Sequence, residues 1–230
     1  PAVLKAVIRY FKASGARNVY VIENCTQANF TRLVFHATGY TDLCRDTGAI
    51  PVFLDETPAV KVTLKGLDTP VEISKFVRDL LIDRRDEVLY VSVPKLKTHS
   101  MSQVTLSVKN QYGLVHQHSR GADHNFNLHG KLAGIYALLR PDFALVDGLI
   151  ATNHGHYVAE GNSDRCVVPM NVLLGGTDPL AVDVVGSALM GFSLEDVEHL
   201  SRCADTGIGV GDINKIAIIN RQLFDERKRP

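Results

Sequence analysis

The chain has 230 residues, 45% hydrophobic and 22% charged, which excludes wholesale disorder and leaves room for a sizeable buried core. Its 25 basic residues balance 25 acidic ones, so no overall field exists to hold a nucleic-acid backbone or an anionic membrane surface, and nucleic acid is not an expected partner. No apolar run approaches the roughly 18 residues that a membrane span needs, and the four cysteines at 25, 44, 166 and 203 show no C-x-x-C pairing or ferredoxin spacing, which predicts reduced thiols in a cytoplasmic protein.

In chain order, Ala2–Ser14 sets Val3, Val7, Ile8 and Phe11 on one helical face and closes at Gly15. Asn18–Ile22 reads as a buried strand and Phe30–Thr38 as a helix closed by Gly39. Pro51–Leu54 and Val60–Leu64 read as strands, the second by its alternation. Ile73–Ile82 is an amphipathic helix with Ser74 near its start, and Val88–Val93 is a continuous apolar strand. His129–Leu139 predicts a helix and Phe143–Val146 another buried strand. Asn171–Leu174 leads to a helix over Pro179–Met190, with Asp178 as N-cap and Pro179 at the first helical position. Ser193–Ala204 predicts a further helix, Ile213–Ile219 a last strand, and the tail RQLFDERKRP a frayed end. This alternation predicts a single α/β domain over 1–230. Its mostly parallel sheet would carry helices on both faces, with irregular insertions around 94–128 and 150–168. The chain opens Pro-Ala-Val without an initiator Met, so a truncated or processed start is expected.

Ligands of open α/β sheets bind beyond the carboxyl ends of strands. Three such places carry polar groups. After VLYVSV comes Pro94-Lys95-Leu96-Lys97-Thr98-His99, where an extended chain puts Lys95, Lys97 and His99 on one face. Isolated lysines are usually solvated, but two ammonium groups and an imidazole together suit a carboxylate, a phosphate or an anionic cofactor. Next, Thr105 and Lys109 stand one helical turn apart, with Asn110 adjacent. Third, FALV releases Asp147 beside Gly148, a glycine that allows a tight turn; Asp147 is a candidate acid, base or orienter, or simply the acceptor of an Asx-turn. Asp183, inside the apolar helix, is expected to pair with a lysine or a backbone group.

Seven of nine histidines fall between 99 and 156. His99 and His129 are candidates for proton transfer, since imidazole titrates near neutral pH. His116/His118 and His154/His156 form two H-x-H pairs that could hold a metal, although loop histidines are often merely exposed and no H-E-x-x-H helix accompanies them. Cys25 follows the first strand; an idle thiol is the commoner case there. Gly207-Ile-Gly209-Val-Gly211 follows a helix, the reverse of a dinucleotide-binding loop, and reads as a helix exit.

The segments V-P-K-L-K-T-H-S, T-L-S-V-K-N-Q-Y-G-L-V, H-G-K-L-A, L-V-D-G and G-G-T-D-P-L-A-V-D-V-V-G, in order from about position 88 to 191, resemble the Domain of Unknown Function 362 family. The resemblance implies a bacterial or archaeal protein of redox-linked metabolism, often fused to or encoded with ferredoxin-type iron–sulfur domains. It names no reaction. No iron–sulfur cluster is expected within this chain, so a cluster would belong to a ferredoxin-type partner. After L-V-D-G the sequence departs from the family's acidic residue and G-x-G-P-like turn, reading Ile150-Ala-Thr-Asn-His154-Gly-His156.

Three functions follow. The first is an enzyme or cofactor-handling protein acting on a small anionic ligand. Lys95, Lys97 and Lys109 would bind the anion, Thr98 and Asn110 would orient it, and His99, His129 and Asp147 would carry the chemistry. The second is a non-catalytic accessory module for an iron–sulfur partner. The third is a histidine-ligated metal-dependent hydrolase or isomerase. The residues name no cofactor.

Overall fold

A computed structural model describes the chain except residues 26–29, 68–69, 117–119, 121–125, 155–162 and 230, and the side chain of Ser163. Its contacts divide the chain into two units, the first comprising Pro1–Thr63, Asp68–Arg85 and Gly113–Phe126, the second Leu64–Leu67, Asp86–Tyr112 and Asn127–Pro230.

The first unit begins with α1 (Ala2–Ala13), whose Val3 and Ile8 turn inward as its apolar spacing predicts. Strands β1 (Tyr20–Glu23) and β2 (Ile50–Phe53) pair in parallel, joined through α2 (Thr31–Ala37) and α3 (Tyr40–Thr47). A parallel pair needs such a crossover because a tight turn cannot reverse the chain twice. Ile8, Val21, Phe35, Leu43, Cys44 and Ala49 form the core. Beside them, β3 (Ala59–Val62) and β4 (Val71–Ser74) make an antiparallel pair. Ser74 then caps α4 (Lys75–Leu81), accepting the Phe76 N–H at 3.1 Å.

The second unit is built around β8 (Phe143–Thr152), ten residues long. Strands β5 (Val91–Ser92) and β6 (Lys95–His99) run parallel to it, while β9 (Val167–Val168) and β10 (Val172–Gly176) join antiparallel. β7 (Gln103–Thr105) folds back antiparallel on β6. The helices are α5 (Ser107–Asn110), α6 (Leu128–Leu138), α7 (Pro179–Leu189), α8 (Glu198–Asp205) and α9 (Arg221–Arg227). The predicted α/β class holds. Ala144 and Val146 of β8 bury with Val172 of β10, Leu96 of β6 and the apolar side chains of α7. Phe143, Leu145 and Asp147, on the alternate positions, stay partly exposed.

Several elements differ from the sequence expectation. Ile213–Ile219 is not a strand: Ile213–Lys215 is a 3-10 turn capped by Asp212, and Ile216 and Ile218 pack on the core without a strand partner. The tail is not frayed but forms α9, anchored by buried Phe224. Val88–Val93 shrinks to the two residues of β5. Asp147 does not end its strand, and Gly148 makes no turn. β8 runs on to Thr152, and a Cβ at Gly148 would stand 2.8 Å from Val172 Cγ2 and 3.0 Å from Leu96 Cδ2, so the glycine serves close strand packing. No helix among the described residues is long and apolar enough to cross a membrane.

Candidate functional site

The site belongs wholly to the second unit. Its foundation is Asp183 of α7, fully buried, whose two carboxylate oxygens accept the backbone N–H groups of Ser107 at 2.8 Å and Val108 at 2.6 Å. These are the first N–H groups of α5, which no intrahelical acceptor satisfies. Burial pushes the acid up to about 8, against the two donors, which hold it down. Asp183 therefore pairs with backbone, one of its two expected partners, and in doing so sets the helix that carries Lys109.

Lys109 is only 8% exposed, and its ammonium reaches Thr105 Oγ1 of β7 at 3.3 Å. Thr105 precedes the helix rather than sitting in it, yet the two side chains meet as the spacing suggested. Among the described residues no carboxylate lies within ion-pair reach of Lys109. Burial, and then the nearby charge of Lys97, lowers Lys109 to about 7. The strand carrying Lys97 is irregular: Lys95 pairs with Asp147, but Lys97 pairs with Thr152, so the register shifts between them.

That shift separates the three cationic groups of β6. Lys95 Nζ lies 3.1 Å from Asp147 Oδ2, while Asp147 Oδ1 accepts the Leu149 N–H at 3.1 Å. This acid is already matched by its own neighbours. Thr98 Oγ1 hydrogen-bonds Asn153 Oδ1 at 3.1 Å, and Asn110 donates to Ser92 Oγ at 3.1 Å. His99 Nδ1 accepts the Met101 N–H at 3.1 Å, so the proton of its neutral ring sits on Nε2.

His129, the second residue of α6, stands against His199 of α8, their ring centroids 5.7 Å apart at 30°. His129 Nε2 lies 3.8 Å from Glu198 Oε2, and its Nδ1 is buried without a hydrogen-bond partner among the described residues. His199 is fully buried, and neither of its ring nitrogens has a partner there. Burial, followed by the charges of His129, Lys109 and His99, lowers His199 to about 3 and keeps it neutral. Behind it, burial pushes the Cys203 thiol up to about 12 and the Tyr136 phenol above its usual range. Lys97, His99, Lys109, His129 and His199 thus form one electrostatic neighbourhood, with Lys95 and Asp147 as a separate ion pair.

His199 is a site residue that none of the sequence patterns above singles out. In E-H-L-S-R-C the spacing of His199, Leu200 and Cys203 was available to place the imidazole on the helix's buried face. The two proposed metal pairs are only half visible. His116 is buried and its backbone N–H donates to Glu72 O at 2.6 Å, and His154 has a positive φ of 66°; His118 and His156 lie outside the described residues. Among the described residues no group of three or more His, Cys, Asp or Glu side chains is arranged to hold a metal. A shallow cleft lined by Pro169, Met170 and Glu226 to Arg229 includes none of the site residues.

A family model described as Domain of unknown function (DUF362) matches residues 1–188. Comparison with curated proteins and with solved structures yields no match. The match includes Lys97, His99, Lys109, His129 and Asp183, whereas His199 and Cys203 lie beyond it. With the greater part of its length matched, the chain belongs to the Domain of unknown function (DUF362) family.

Proposed function

We propose that the second unit is an enzyme, or a protein that handles a cofactor, and that it takes a small anionic ligand at Lys97, His99 and Lys109. One observation carries the reading: a buried ammonium that meets no carboxylate among the described residues feels the charge of a second ammonium, that of Lys97. Two such cations repel, and a folded chain that keeps them together lowers its energy when an anion enters between them. His99, which shares this neighbourhood, is the third group we assign to that anion. His129, with Glu198 Oε2 3.8 Å from its Nε2, completes the proposed set. Redox-linked metabolism and a ferredoxin-type partner remain expectations drawn from the family resemblance, and a cytoplasmic setting one drawn from four widely spaced cysteines, which are free of disulfides.

The test is thermal unfolding of the full chain against a panel of small carboxylates and phosphates. A ligand bound to the folded state alone stabilises it by about 2.7 kcal/mol at about 100 times its Kd, so at least one anion should raise Tm by several degrees. Lys97→Ala should abolish that rise while leaving the unliganded Tm nearly unchanged. A panel without any saturable rise sinks the reading, as does a rise that Lys97→Ala retains.

A further inference from the structure

We propose that His129 and His199 form a two-histidine site for a first-row transition-metal dication, held between the start of α6 and the start of α8. The site uses neither Lys97 nor Lys109, so it stands or falls apart from the anion reading.

The observation that carries it is a set of ring nitrogens with nothing to bond. His199 is 0% exposed, and both its nitrogens are buried without a hydrogen-bond partner among the described residues; His129 Nδ1 is in the same condition. Buried polar groups are ordinarily satisfied, because a bare one forfeits its bond to water and gains nothing in return. Three bare nitrogens on two neighbouring rings therefore call for a common partner. Its chemistry follows from the lone pairs. A neutral imidazole has one N–H and one lone pair, so His199 keeps a lone pair whichever tautomer it adopts. Glu198 Oε2, 3.8 Å from His129 Nε2, favours the proton on that nitrogen and leaves the lone pair on Nδ1. One lone pair on each ring is the donor set of a metal ion.

The distances agree. Two imidazoles that share an ion through nitrogens at about 2.1 Å have ring centres roughly 5–6 Å apart. These centres are 5.7 Å apart, with the ring planes at 30°. The outer support of such a ligand is also present. Metal-bound imidazoles commonly direct their second N–H at a carboxylate. Glu198 stands on that side of His129, and Arg202 fixes it, with Nε at 2.9 Å and Nη2 at 2.8 Å from Glu198 Oε1. The His129 side chain is 19% exposed, which gives an ion the access that His199 lacks. No group of three or more His, Cys, Asp or Glu side chains is arranged around an ion among the described residues. The protein therefore supplies two ligands, and water or a small anion completes the shell. Charge on Lys109 or His99 bears on His199 and opposes the ion, so binding is weaker than in a closed structural site. Imidazole donors select zinc, copper, nickel or iron over magnesium and calcium.

The experiment is equilibrium dialysis and calorimetry of the full chain against Zn2+, with protein made without a histidine tag and freed of metal by a chelator. The expected result is one ion per chain, with a Kd of about 10 μM or tighter. His199→Leu puts an apolar side chain of similar size on the buried face of α8 and should weaken that binding at least about 100-fold. Glu198→Gln keeps both rings but removes the carboxylate behind His129, and should weaken it about 10–100-fold. His154 is exposed, and His154→Ala should bind as the parent does. Less than about a tenth of an ion per chain with Zn2+, Co2+ or Ni2+ overturns the proposal. Undiminished binding in a folded His199→Leu chain also overturns it, since the ion would then rest on surface histidines. His129→Ala, at the accessible ligand, makes the same comparison independently if His199→Leu does not fold: loss of the ion supports the site and retention overturns it.

Discussion

Lys109 makes the stability of this chain depend on pH in a direction opposite to ordinary acid-paired lysines. The unfolded chain keeps its proton up to 10.5, whereas the folded chain releases it at about 7. Between those values the unfolded state binds more protons, so stability rises with pH by about 1.4 kcal/mol per pH unit from this group alone. The contribution is complete above 10.5 and lost as the pH falls through 7. Lys109→Met removes the titration and keeps the buried stem. Urea unfolding should therefore find the variant more stable than the parent at pH 6, with the gap closing steadily towards pH 10. A gap that stays constant across that range would mean that Lys109 is not held neutral. At this scale the sequence was informative about cations and poor about burial. PKLKTH displayed Lys97 and His99 openly, but nothing in V-K-N distinguishes a buried lysine from a solvated one. The register shift after Lys95, which decides which lysines meet, is a property of the paired strands and not of the hexapeptide.

At the scale of elements, the short helix α5 exists because another helix caps it. Four residues cannot stabilise a helix through their own hydrogen bonds, and both its leading N–H groups end on Asp183. Asp183→Ala leaves two buried donors unpaired, at about 1–3 kcal/mol each. The expected loss is greatest below the ordinary carboxyl value of 3.8 and shrinks as the pH rises towards 8. Because burial raises this acid to about 8, its folded-state contribution is present in acid and is lost as the pH rises through that value. Chemical denaturation at pH 6 and pH 9 checks both magnitude and trend, and an unchanged midpoint at pH 6 would remove Asp183 from the support of Lys109. Elements with their own punctuation were legible: Asp178-Pro179 opens α7 where the caps predict it. Those governed by distant contacts were not. Ile213–Ile219 has the composition of a strand but no strand edge beside it, and α3, Y-T-D-L-C-R-D-T, carries too few apolar residues to announce a helix.

Among the described residues each unit has a core of its own, and the two units should answer separately to damage. Phe35 is 2% exposed in the first unit, its ring 5.0 Å from that of Phe53 and 5.5 Å from that of Tyr40. Phe35→Ala deletes the centre of this aromatic group, a change that costs about 3–5 kcal/mol when the cavity cannot collapse. Hydrogen exchange reads where the cost falls, because amides exchange through the cheapest opening that exposes them. Amides of α1, α3, β1 and β2 should exchange faster in the variant by two or more orders of magnitude, at about 1.4 kcal/mol for each tenfold. Those of β8 and α7, whose core is Ala144, Val146, Leu180 and Leu189, should keep their parent rates. The candidate site draws every residue from the second unit, so the variant should also retain the anion-dependent rise in Tm for that unit's transition. Equal acceleration in all these elements would show one cooperative body, and the division of contacts would then carry no energetic meaning.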